Sequence, residues 1–271
     1  MGPRWSGTLL YVPLLYGLGW LLVRPLGGLA PGLRPDQVDL AGAVVALVLL
    51  LLTLPLRLRR AWGESHPWRA LGVLAPLPAV LGAFGRGLLR ALALLALVVI
   101  ALLASGGARW IGPAGLEGGE VLNALALVVG VGFAEELVFR GWLWGELRLQ
   151  MAPRAALLLQ AAIFALVHPW SRAGWLGAVG LLGGLSLLGV NLALHRLEDR
   201  GVLWGAVGLH GGLVGGWFAL QAGLLEVVPQ AQAWLAGPGT PPNPLGGVVG
   251  WIGMGGVLAL MAHTRPQKPA T

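Results

Sequence analysis

Long apolar stretches run through the whole chain, separated by short segments in which the arginines collect. A membrane-spanning helix needs roughly 20 predominantly apolar residues. Eight stretches reach or approach that length, near 8–29, 38–56, 88–105, 120–142, 154–170, 174–194, 202–222 and 244–262. A further stretch, 71–85, is apolar but short and interrupted by Pro76 and Pro78, so it reads as an interfacial or re-entrant piece. The first run follows MGPRWSG much as a signal peptide would. It lacks an A-x-A cleavage site and continues through Tyr11, Tyr16 and Trp20, which predicts a retained first span. The pattern therefore predicts an all-α fold: a polytopic membrane bundle of about eight transmembrane helices, built as a single membrane domain over 1–271. Within it, 1–119 would supply the N-terminal spans, 120–222 the core that carries the motifs, and 244–262 the last span.

Composition narrows the classes. Hydrophobic residues make up 56% of the chain and charged residues 11%, with a mean hydropathy of +0.78. A soluble domain carries about 25% charged residues, so a soluble enzyme and a disordered chain are both excluded. With no cysteine, a disulfide scaffold and thiol chemistry are excluded too. The net charge of +7 could suit nucleic acid. The arginines lie between apolar segments, however, so topology and lipid headgroups account for them and no nucleic-acid partner is expected. With the N-terminus in the cytoplasm, 13 of the 18 basic residues fall in inside segments, Arg265 and Lys268 among them, and four fall outside. That asymmetry is what the positive-inside rule demands. It predicts both termini in the cytoplasm and an integral, multi-pass protein of the cell inner membrane, with lipid as its surroundings. Several of the 13 tryptophans lie near span ends, as in an interfacial belt. Small-residue pairs at helix-packing spacing, Gly211/Gly215, Gly212/Gly216 and Gly246/Gly250, predict close helix contacts. The Pro/Gly-rich segment 229–246 shows no chemistry of its own.

Ionisable groups at hydrocarbon depth cost about 2.5–3.5 kcal/mol each on insertion scales and call for a reason. Three sites qualify. In GFAEELVFRGW, Glu136 and Arg140 stand four residues apart on one helix face and can pair. Glu135 points roughly 100° away with no local cation, and two adjacent desolvated carboxylates suit a proton acceptor. In IFALVHPW, Phe164 and His168 share the same four-residue spacing. In VGLHGGLVGG, His210 sits in an apolar, glycine-rich span. Taking 150–153 as the turn between spans, Glu135 and His168 each lie roughly 22 Å from it, and His210 roughly 14 Å into its own span. Helix packing would thus bring the three to neighbouring levels. One carboxylate and two imidazoles can bind Zn²⁺ through Glu135, His168 and His210. Alternatively, Glu135 with His168 can activate water without a metal while His210 donates to an oxyanion. The H-E-x-x-H spacing is absent, so metal ligands would have to come from separate helices.

Glu-Glu-x-x-x-Arg on one span, Phe-x-x-x-His on the next and a histidine motif two spans later resemble the CPBP family of intramembrane proteases over residues 120–215. That family includes type II CAAX prenyl endopeptidases and bacteriocin-processing and self-immunity proteins. The resemblance implies an endopeptidase acting on a membrane-associated protein or peptide. Glu135 would be its water-activating base, and His168 and His210 would complete the site. Glu136 and Arg140 would organise it, and Phe164 would pack beside it. The resemblance leaves metalloprotease and metal-free glutamate chemistry both open. The sequence departs from the family where His-x-x-x-Asn or Asp is usual, because Val214 follows His210 there. Asn191 on the preceding span is the nearest stand-in, or else it ties helices together. Val214 leaves room for a non-catalytic membrane scaffold or assembly factor. A proton-coupled transporter is a third reading of intramembrane Glu and His, disfavoured by the lack of an inverted repeat.

Overall fold

The computed structural model describes residues 2–30, 32–228, 231–239 and 242–263. Arg265 and Lys268, counted above as cytoplasmic charges, lie outside the described residues. Eight principal helices follow one another: α1 (Trp5–Val23), α2 (Pro35–Ala61), α3 (Leu77–Ala104), α4 (Gly118–Gln150), α5 (Pro153–Leu166), α6 (Gly174–Glu198), α7 (Trp204–Ala219) and α8 (Val248–His263). Five stretches are long and apolar enough to cross a membrane: Trp5–Leu29, which includes α1, together with α2, α3, α4 and α6. Helices α5 and α8 are shorter apolar helices.

Three expectations need correction. The stretch 71–85 is no separate piece, because its second half forms the opening turns of α3. Pro76 is the N-cap and Pro78 stands in the first turn, where a missing N–H leaves no helical bond unmade. Prolines that look like breakers in sequence are here a start signal. The predicted span 154–170 ends early: α5 stops at Leu166, and His168 stands in the turn beyond it. Pro169 disfavours helical geometry at the residue before it. Finally, Gly246 and Gly250 do not share a helix, since Pro244–Gly246 is a 3₁₀ turn ahead of α8. An otherwise helical fold also contains two three-residue strands, β1 (Ala108–Trp110) and β2 (Leu225–Val227). They pair antiparallel with Arg109 opposite Glu226.

Helix α7 is the centre of the bundle. Ten of its 16 residues are buried, in an unbroken run from Gly205 to Leu213 plus Gly215. Its glycines let two neighbours approach on different faces. A Cβ on Gly211 or Gly215 would clash with carbonyl oxygens of Val128 or Ala124 on α4. One on Gly208 would clash with the Phe84 carbonyl of α3, and one on Gly212 would press on Ala91. The two small-residue pairs read from the sequence therefore serve two different partners. Gly211→Ala should force α7 away from α4 beside His210. Overpacking of this kind costs about 1–3 kcal/mol; thermal unfolding in detergent should show the lower melting point, and an unchanged melt would contradict this packing.

The hairpin of α1 and α2 is fastened to α4 by a buried carboxylate. Glu146 is fully buried. It accepts two hydrogen bonds from Arg57 (2.6 and 2.7 Å), one from the Thr8 hydroxyl (2.7 Å) and one from the Trp142 indole (2.8 Å). A second clamp joins α3 to the end of α6. Arg90 makes a bidentate pair with Glu198, Arg86 pairs with Asp199, and the buried His195 lies between Asp199 and Arg90. With α7 packed against both α3 and α4, these fastenings frame the motifs.

Candidate active site

The motif residues of α4 lie in a distorted stretch of helix. Two π-turns, Leu127–Val131 and Leu137–Leu143, flank the regular segment Gly132–Glu136. Such π-turns rotate side chains out of the α register and recur at functional sites. Glu135 thus faces the space between α5 and α7, while Glu136 and Arg140 turn into the core with no exposed surface.

The three residues singled out by sequence converge. The Glu135 Oε2 atom lies 3.6 Å from His168 Nε2 and 3.9 Å from His210 Nε2. Each imidazole is held through its other nitrogen. His168 Nδ1 is 2.6 Å from the Phe164 carbonyl oxygen, left open at the C-terminus of α5. His210 Nδ1 is 2.8 Å from Glu136 Oε1, which also accepts from Arg140 at 2.8 Å. A carbonyl and an ion-paired carboxylate are acceptors only. Both imidazoles must therefore carry their proton on Nδ1 when neutral, and both present an Nε2 lone pair to Glu135. Three acceptors cannot face one another unaided. Three such acceptors call for a proton, a bridging water or a cation among them.

Phe164, with no exposed surface, is the hub of the cluster. Its ring lies 4.6 Å from that of His168, 5.6 Å from His210 and 5.1 Å from Phe139. The Arg140 guanidinium stands 4.2 Å over its face, a cation–π contact in a desolvated place. Eight buried side-chain polar atoms lack a hydrogen-bond partner within the described chain, and four belong to this cluster: Glu135 Oε2, Glu136 Oε2, Arg140 Nε and Arg140 Nη2. Unmet donors and acceptors gathered in one buried place point to water or substrate as their partner. Glu135 keeps 33% and His168 24% of side-chain exposure, so the site has access from outside the core.

His168 and His210 open onto a cavity of about 280 Å³ whose walls include Leu185, Leu188, Leu213 and Val214. Val214 therefore lines the site itself, where it presents a methyl surface and no hydrogen-bonding group. Two amide side chains missed by the sequence reading, Gln221 and Asn243, also line the cavity. Asn243 belongs to the Pro/Gly-rich segment that had shown no chemistry. The Trp217 indole donates to the Pro242 carbonyl (3.0 Å) and holds that segment over the cavity. Only the position of a loop in space reveals this; no local pattern marks it. Asn191 is not part of the site: its amide donates to the Leu187 and Met254 carbonyls and ties α6 to α8.

A carboxylate oxygen and two imidazole nitrogens are donor types that Zn²⁺ accepts. Yet among the described residues no three His, Asp or Glu groups are arranged to hold one ion.

A partly buried Glu–His–His cluster thus sits within a frame of apolar helices, five stretches of which are long enough to cross a membrane. Residues 117–215 match the family model described as type II CAAX prenyl endopeptidase Rce1-like, in keeping with the resemblance that the motifs carry. Residues 1–66, which hold α1 and α2, match a model described as a domain of unknown function (DUF8676). No curated protein and no solved structure matches the chain.

Proposed function

We propose that the protein is an intramembrane endopeptidase that cleaves a peptide bond of a membrane-associated protein or peptide, with Glu135 as its base. The observation that carries this reading is the Glu135 Oε2 atom set between two imidazole lone pairs at 3.6 and 3.9 Å. A water placed there donates one O–H to Glu135 and the other to an Nε2. As its oxygen attacks the scissile carbonyl, its proton passes to Glu135. When the C–N bond breaks, Glu135 returns that proton to the leaving amine. The ion-paired Glu136 accepts from His210 Nδ1 and so turns Nε2 toward Glu135. The leucine-walled cavity suits an apolar segment. The Rce1-like match supports peptides near the C-terminus of a lipid-anchored chain as the first substrates to try. In this reading all eight helices span the inner membrane and both termini face the cytoplasm.

Purified protein in proteoliposomes, offered a panel of membrane-anchored peptides, should release a cleaved product. His210→Ala should lower the rate about 10²-fold or more, within the range for a proton-handling group. An unchanged rate in His210→Ala would remove this mechanism. A second reading, a non-catalytic scaffold of the same fold, draws on Val214 at the cavity wall. Cleavage of any substrate in the panel, lost on His210→Ala, excludes it.

A further inference from the structure

A second and larger cavity lies away from the catalytic cluster, about 920 Å³ in volume, where the α3 approach, the end of α4 and the end of α6 meet. Four arginines line it, Arg69, Arg148, Arg196 and Arg200, and no Asp or Glu does. None of the four pairs with a carboxylate among the described residues. Arg196 is buried, and its guanidinium donates only to carbonyl oxygens, those of Ala70 (2.9 Å), Gly201 (3.1 Å), Arg140 and Gly141. Carbonyl dipoles satisfy its N–H groups but leave the charge without a counterion. Arg69, Arg148 and Arg200 are exposed around it. Trp144, also on the wall, is almost fully buried, yet its indole N–H has no hydrogen-bond partner. Arg200 is also the one non-glycine residue with positive φ (+55°) among those described. That left-handed residue closes the end of α6, where the Gly201 N–H bonds to the Arg196 carbonyl and the Arg200 N–H to that of Leu197.

We propose that this cavity is a phosphate-binding site that takes the headgroup of an anionic phospholipid. Guanidinium forks match phosphate oxygens in geometry and charge. Basic pockets between membrane helices are the recurring form of such headgroup sites. A soluble phosphate would use the same chemistry. The site is independent of the peptidase reading, since none of its residues belongs to the Glu135 cluster.

The test uses the full chain, purified in neutral detergent and stripped of lipid. It is titrated separately with short-chain phosphatidylglycerol, short-chain phosphatidylcholine and inorganic phosphate, and binding is read by native mass spectrometry. Phosphatidylglycerol should bind well above phosphatidylcholine, and Arg69→Gln/Arg148→Gln/Arg200→Gln should weaken it about a hundredfold, three surface charges' worth. Arg200→Gly, which suits the backbone there, should melt no lower than wild type and still lose several-fold in binding. Phosphate bound with the same arginine dependence, and phosphatidylglycerol not, would keep the site and assign it to a soluble ligand. Equal binding of the two lipids without phosphate binding, or equal binding by wild type and both variants, overturns the proposal.

Discussion

Glu135→Gln should abolish cleavage and leave the bundle intact. The substitution keeps the shape of the side chain and removes its basicity. Loss of a general base typically costs about 10²–10⁴ in rate, or roughly 3–5 kcal/mol of barrier. Stability should hold or rise, for a reason specific to this site. In the wild type, Oε2 of Glu135 faces two imidazole lone pairs. The amide of the Glu135→Gln variant can donate into one of them, and so relieves a cluster of acceptors. Glu135→Asp, which withdraws the carboxylate by one methylene, should retain part of the activity because basicity survives while reach does not. The measurement is turnover in proteoliposomes beside thermal unfolding of the same preparations. Full activity in Glu135→Gln would sink the mechanism. A collapse of stability would instead assign Glu135 to the frame.

How much of this was legible in sequence follows from where each signal resides. Apolar runs are local, so all eight helices are legible, although α3 begins at Leu77 rather than near 88, α4 runs on to Gln150 rather than 142, and only five stretches are long and apolar enough to count as spans by themselves. The motif residues could be picked out because each is an ionisable group in a hydrocarbon setting, a contradiction visible without neighbours. Their orientation was not visible. The π-turns around Glu135 rotate it by an amount that no fixed period supplies, and His168 was assigned to a helix that ends before it. Polar groups outside the motifs escaped notice because their partners are distant in sequence. Glu146 looks like a span-end charge until Arg57, Thr8 and Trp142 are seen to meet it. Arg196 and Arg200 looked like topology markers, which fits the arginine asymmetry but not a cavity. Gln221 and Asn243 carried no signal, since reaching the site depends on a loop folding back.

The largest effect on stability is expected at the Glu136–Arg140 pair, and its pattern separates structural from organising roles. Both side chains have no exposed surface and their atoms meet at 2.8 Å. Removing one partner of such a pair costs about 3–5 kcal/mol, chiefly by stranding the other charge in the core. Arg140→Met should therefore melt far below wild type, because Glu136 would keep only His210 as a partner. Replacing both, as Glu136→Gln/Arg140→Met, removes both charges while retaining a carbonyl oxygen that can accept from His210 Nδ1. Most of the stability should return, since a neutral, packed pair of similar volume is often no worse than a buried ion pair. Activity should not return with it. The His210 tautomer would survive, but the fixed negative charge beside the reacting groups would be gone, and turnover should stay at least about tenfold below wild type. A double variant as unstable as Arg140→Met would mean that the pair's geometry, and not its charge balance, holds α4 in place. A double variant both stable and fully active would reduce Glu136 and Arg140 to packing, and leave Glu135, His168 and His210 to work without them.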